Sequence, residues 1–209
     1  MAELIDIVRV VVGTQYLTAT VRVADDAPLM TSEDLEGTTR VYNLMPEIIN
    51  HACMGDSGEI FRDCMGDTEI CHLLEHMTVE LLSRTSLATD VIAGRTWREL
   101  AYERTYSIQL PCIDDVLVAG ALSSAIWMLG WAFTGGVGPV PDVAATVAGL
   151  EALALSQPLA DEVEAAAEAE RYDMDEPYDD YGQEPYDDGY DDVTDEDLDR
   201  GPRMSRKII

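Results

Sequence analysis

The chain has 209 residues, 47% of them hydrophobic, and a formal net charge of −28. That is enough for one domain with a full core, and such acidity excludes nucleic acid and anionic lipid as partners because both would be repelled. The only lysine is Lys207, so the folded part has no P-loop, Schiff-base or general-base lysine and no ATP-driven reaction is expected.

About half of the net charge lies in residues 161–209. The chain is therefore predicted to hold an α+β domain over residues 1–160, then an acidic helix end and a disordered tail over 161–209. Residues 4–13 and 16–24 are rich in β-branched side chains around Gly13-Thr14-Gln15, which predicts a hairpin. A helix starting at Ser32, with Glu33 and Asp34 in its first turn, is expected to run through Arg40–His51. Residues 53–68 carry Gly55, Gly58 and Gly66 and read as a loop. Ile70, Leu73, Leu74, Met77, Leu81 and Leu82 predict an amphipathic helix over 69–84. Gly94-Arg95-Thr96 reads as a connector, and a third strand is expected over Thr105–Cys112, with Pro111 marking an edge or an end.

From Val116 to Pro141 no residue is charged. That length suffices to span a bilayer, but Asp114, Asp115 and Asp142 flank it, so a buried core helix over 113–134 is expected and no membrane partner. Asp142 is expected to cap a last helix over 143–170. Strands followed by helices predict a small antiparallel sheet packed against helices. In the tail, Glu176-Pro177-Tyr178-Asp179-Asp180 returns as Glu184-Pro185-Tyr186-Asp187-Asp188, a solubilising segment or a docking point for a basic protein partner. Cys53, Cys64, Cys71 and Cys112 follow no secretory signal and read as reduced thiols of a cytoplasmic protein.

His72-Leu73-Leu74-Glu75-His76 carries the chemistry. On a helix, residues i and i+4 share a face, so His72 and His76 are placed to grip one metal ion, with Glu75 beside them as a catalytic base. Zinc would need a third ligand and an open position. Glu80, one turn on, is the first choice; Asp114, Asp115, Glu103 and Glu151 are the others. Two histidines bonded to Glu75 or Glu69, with no metal, is the plainer alternative. A structural zinc site from Cys71 with Cys53, Cys64 and His51 is another, although the spacings match no paired knuckle.

The succession His51-Ala52-Cys53, Phe61, His72 to Leu81, Gly94-Arg95-Thr96 and Tyr106 before an apolar strand resembles the N-terminal domain of the bacterial cyanophycin synthetases. The resemblance covers roughly residues 4–130. It implies binding of an aspartate polymer that carries arginines and, in some members, a metal-dependent hydrolase that cuts it. By that resemblance His72 and His76 would hold zinc, Glu75 would be the base, and Arg95 and Arg62 are candidate substrate-binding residues. The chain departs from the family in having Glu59-Ile60 for a double glycine, Pro111 for a strand glutamate, and no counterpart of the ATP-using ligase domains, so a synthetase is not expected. His72 to Met77 is also similar to a helix of pitrilysin-type peptidases, whose more distant glutamate would fall at Glu151; the rest of that signature is missing. The expected function is a zinc hydrolase acting on a peptide or amide polymer such as cyanophycin. The alternative is a non-catalytic module binding an Arg-containing polymer or a partner protein.

Overall fold

The computed structural model describes residues 4–53 and 59–157. The expected helix beyond residue 157, the tail with its repeat, and Gly55 and Gly58 lie outside them. Four strands form one antiparallel sheet in the order β1-β2-β4-β3: β1 is Ile5–Val12, β2 Tyr16–Val23, β3 Arg95–Arg98 and β4 Thr105–Pro111. Four helices accompany it: α1 is Leu35–Leu44, α2 Ile70–Ser83, α3 Asp115–Phe133 and α4 Val143–Leu155. The α+β class and the small antiparallel sheet are as the sequence predicts.

The β1–β2 hairpin closes through a hydrogen bond from Gly13 N to Tyr16 O of 2.9 Å. Leu17, Ala19, Val21 and Val23 of β2 alternate into the core and are fully buried. Ile108 and Leu110 of β4 continue that buried face. Pro111 ends β4 as expected. Gly94-Arg95-Thr96 is not only a connector: Arg95 and Thr96 begin β3, which pairs with β4 from Arg95–Gln109 to Arg98–Tyr106. Four residues without alternating hydrophobicity give no periodic signal, so only pairing with β4 makes them a strand.

The first helix is shorter than expected. Asp34, not Ser32, caps α1, accepting from Gly37 N at 2.9 Å. Pro46 stops it, because a residue before proline is driven out of the helical region; Met45 sits at φ −136°, ψ 68°. Residues Pro46–Asn50 form a 3-10 turn instead. Asp114 and Asp142 cap α3 and α4 through Leu117 N and Ala145 N. In α3, Leu117, Val118, Ala121, Leu122, Ala125, Met128 and Leu129 are buried, while Trp127 is exposed. α3 is long and apolar enough to cross a membrane, and half of its most apolar window is buried within the protein. α2 is buried along almost its whole length, including Glu75, His76 and Glu80. That combination of burial and polar chemistry marks the site.

Candidate metal centre and pocket

The three histidines and two of the four cysteines meet around α2. His72 Nε2 lies 3.2 Å from His76 Nε2. Cys53 Sγ lies 3.6 Å from His72 Nε2 and 3.9 Å from Cys64 Sγ. Donors on one tetrahedral zinc stand about 3.3 Å apart for two nitrogens, about 3.6 Å for nitrogen and sulfur, and about 3.8 Å for two sulfurs, given the usual bond lengths. Cys53, Cys64 and His72 together offer three ligand atoms within 4.8 Å of one another, a group that could hold a metal ion. His76 adjoins this group through His72.

Hydrogen bonds orient the rings. Arg84 Nε donates to Glu80 Oε1 at 2.6 Å, and His51 Nε2 donates to Glu80 Oε2 at 2.7 Å. A carboxylate only accepts, so His51 carries a proton on Nε2, and in the neutral ring its Nδ1 is a lone pair. His76 Nδ1, 3.3 Å away, must then be the donor to it. That leaves the His76 Nε2 lone pair facing His72. His72 in turn meets the Thr68 hydroxyl through Nδ1 at 2.8 Å. With Thr68 donating, His72 Nε2–H donates to His76 Nε2; with Thr68 accepting, both Nε2 lone pairs face each other, the arrangement that suits a cation between them. Phe61 stacks on His76 with ring centroids 3.8 Å apart and sets the floor of the cluster.

Burial sets the charges. It pushes His76 down to about 2, reinforced by His72 and His51. It also lowers His72, with Glu69 acting the other way. The Cys64 thiol is pushed up to about 12 by burial and by Cys53. For Glu80 burial acts upward, but the hydrogen bonds from His51 and Arg84 outweigh it and hold the carboxyl below the usual range. Glu80 therefore stands as a carboxylate with both oxygens engaged, behind His51.

Glu75 sits in a different setting. Its Oε1 accepts from Gly94 N at 3.1 Å and its Oε2 from the Thr96 hydroxyl at 2.8 Å. Burial raises its pKa, while Thr96, Gly94 and His51 act in the opposite sense. It bonds neither Arg84, which holds Glu80, nor Arg104, which donates to the carbonyls of Val23, Ala24 and Ala27. Gly94 makes this seat possible: a Cβ there would lie 2.8 Å from Glu75 Cγ and 2.9 Å from the Gln109 carbonyl oxygen. Gly94→Ala is expected to lower stability by about 1–3 kcal/mol through this overlap and to shift Glu75, with bound metal unchanged. Denaturant midpoints and metal content of the variant check it.

A pocket of about 590 Å³ opens over this cluster, and Cys53, His72, Glu75, His76, Glu69 and Arg95 are among its lining residues. The sequence-derived candidates are thus placed as follows. His72, His76, Glu75 and Arg95 converge on one pocket. Glu80 is on the same helix but turned to His51 and Arg84. Arg62 is exposed and donates to Asn50 Oδ1 at 3.2 Å, outside the pocket lining. Asp114 caps α3, and Glu151 accepts from Ser86 N. Cys71, fully buried in the core, does not join Cys53 and Cys64. The residue whose role the sequence left least defined is His51, the link between Glu80 and His76.

The imidazoles of His72 and His76 also make the metal-free protein acid-sensitive. In the unfolded chain they titrate near ~6.5; in the fold they titrate lower, so below that value the unfolded state takes up protons the native state refuses. Stability is expected to be full above pH ~6.5 and to fall on acidification by about 1.4 kcal/mol per pH unit for His76. Glu75, raised by burial, contributes with the opposite sign, so the measurement belongs in Glu75→Gln protein. Denaturant unfolding at pH 7 and 5.5 reads it; a flat profile would contradict neutral, buried histidines.

No family model matches the chain, and comparison with curated proteins finds no match.

Proposed function

We propose that the domain is a zinc-dependent hydrolase of amide or peptide bonds, with Cys53, Cys64 and His72 as metal ligands and Glu75 as general base. The observation that carries this reading is a Cys53, Cys64 and His72 donor group beside a pocket lined by Cys53, His72 and the buried, doubly hydrogen-bonded Glu75. A two-cysteine, one-histidine set leaves a fourth position open as long as His76, whose Nε2 lies 3.2 Å from His72 Nε2, stays off the metal; the same three-ligand set serves zinc deaminases, in which a glutamate that is not a ligand moves the protons. Zinc, when bound, supplies Lewis acidity and activates water at neutral pH. Glu75 takes the water proton and delivers it to the leaving amine. Thr96 and Gly94 N hold its carboxylate in place. His76, oriented by His51 and Glu80, borders the metal position.

The resemblance to cyanophycin synthetase N-terminal domains supports a polymer of aspartate units carrying arginines as the substrate. The pocket lining fits both halves of such a unit: Arg95 and Arg98 for carboxylates, Glu69 for a guanidinium. The test is amine release from a β-aspartyl-arginine polymer, then from a panel of peptides, with and without added zinc. Zinc-dependent cleavage of either supports the reading. No cleavage by fully zinc-loaded protein would replace it with a module that binds an Arg-containing polymer or a partner protein without turnover.

A further inference from the structure

β1 is an edge of the sheet, with no strand on its outer side among the described residues. Edge strands of monomers are usually short, charged or covered, because a row of free N–H and C=O groups invites another strand. This one runs eight residues, reads Ile5-Asp6-Ile7-Val8-Arg9-Val10-Val11-Val12, and is exposed from Asp6 onward. A bulge lies between Ile7 and Arg9. Ile7, Val10 and Val12 pair with Val21, Ala19 and Leu17, so they point to the helix side of the sheet. Yet they remain 40%, 42% and 52% exposed. The helix layer stops short of the edge. A groove of about 630 Å³ marks the gap, between Leu4–Ile7 and Ile126, Trp127 and Trp131 of α3. Trp127 is 56% exposed there, on a helix with no charge from Val116 to Phe133.

We propose that this edge is a homodimer interface: β1 pairs antiparallel with β1 of a second copy across a twofold axis, and Trp127 of each copy closes the gap over the joined strands. Three observations select this occupant. Free backbone groups need a strand, which a lipid surface cannot supply. The edge is also self-complementary in charge. Pairing centred between Ile7 and Val8 sets Asp6 of each copy opposite Arg9 of the other; both are exposed, and neither has an ion pair among the described residues. A twofold axis makes that match twice, as an interface between identical copies requires. Finally, β1 carries one acid and one base in a chain of net charge −28, so it is a surface on which two such chains approach with little repulsion. An eight-residue strand gives about 26 Å of pairing.

The test is the mass of the full chain in solution by sedimentation equilibrium at tens of micromolar. The expected value is twice the 23.0 kDa of one chain. Arg9→Asp is expected to weaken the dimer at least tenfold, because it sets like charges opposite each other twice. Asp6→Arg combined with Arg9→Asp restores it. Val10→Pro, which removes a strand donor, gives a monomer; the charge variants keep the test open if that variant misfolds. A monomeric wild type, a dimer indifferent to Arg9→Asp, or flotation of the chain with neutral phosphatidylcholine vesicles would overturn the proposal.

Discussion

Glu75→Gln is expected to retain bound metal and to lose turnover by on the order of 10²-fold or more, about 2.7 kcal/mol of transition-state stabilisation. The substitution keeps the size of the side chain. It also keeps one acceptor oxygen for either Gly94 N or the Thr96 hydroxyl, which now hold one oxygen each. What it removes is the proton acceptor. Because the hydrogen bonds of Glu75 go to Gly94 and Thr96 and not to Cys53 or Cys64, the ligand set is untouched and zinc content should match wild type. The loss should appear in kcat and in kcat/KM alike, since a base acts only in the transition state. An unchanged rate would show that Glu75 merely ties α2 to the start of β3.

The second large effect separates two ligand sets. Cys53→Ser, Cys64→Ser and His72→Ala are each expected to lower zinc affinity by at least 10²-fold, because three ligands cannot be reduced to two without losing most of the binding. Glu80→Gln is expected to keep the metal. Its carboxylate lies behind His51 rather than beside the sulfur atoms, and its two oxygens are taken by His51 and Arg84. Its cost should fall on stability instead, because Arg84 and His51 lose their charged partner in a half-buried setting. The helical spacing of His72, His76 and Glu80 alone predicts the opposite order, with Glu80→Gln releasing the metal and the cysteine variants keeping it. Titration of each purified variant with zinc against a chromogenic chelator distinguishes the two.

The part of the site written on one helix was legible in the sequence. A spacing of four residues puts His72 and His76 on one face wherever the helix packs, and apolar positions from Ile70 to Leu82 fix which helix it is. The fold class followed from the same kind of local pattern: alternation in β2, apolar runs in α2 and α3, and the Asp142 cap of α4. Long-range geometry was less accessible. Cys53 and Cys64 were in view with Cys71, but adjacent residues on a helix point about 100° apart, so Cys71 could not share the side of His72. Only the folded chain brings Cys53, 19 positions before His72, within 3.6 Å of it. Thr96 and Gly94 are a comparable case. They precede no periodic pattern, and their role rests on β3 pairing with β4 beside α2. Glu80 shows the converse: correct spacing on the helix, but a cation at Arg84 and a ring at His51 that claim its oxygens first.

The most direct measurement is the zinc content of the full chain, purified under reducing conditions without chelator and read by atomic emission. One zinc per chain, released by Cys53→Ser or His72→Ala and retained by Glu75→Gln, is the expected result. Protein with reduced cysteines that takes up no zinc at neutral pH would contradict the metal centre and with it the hydrolase.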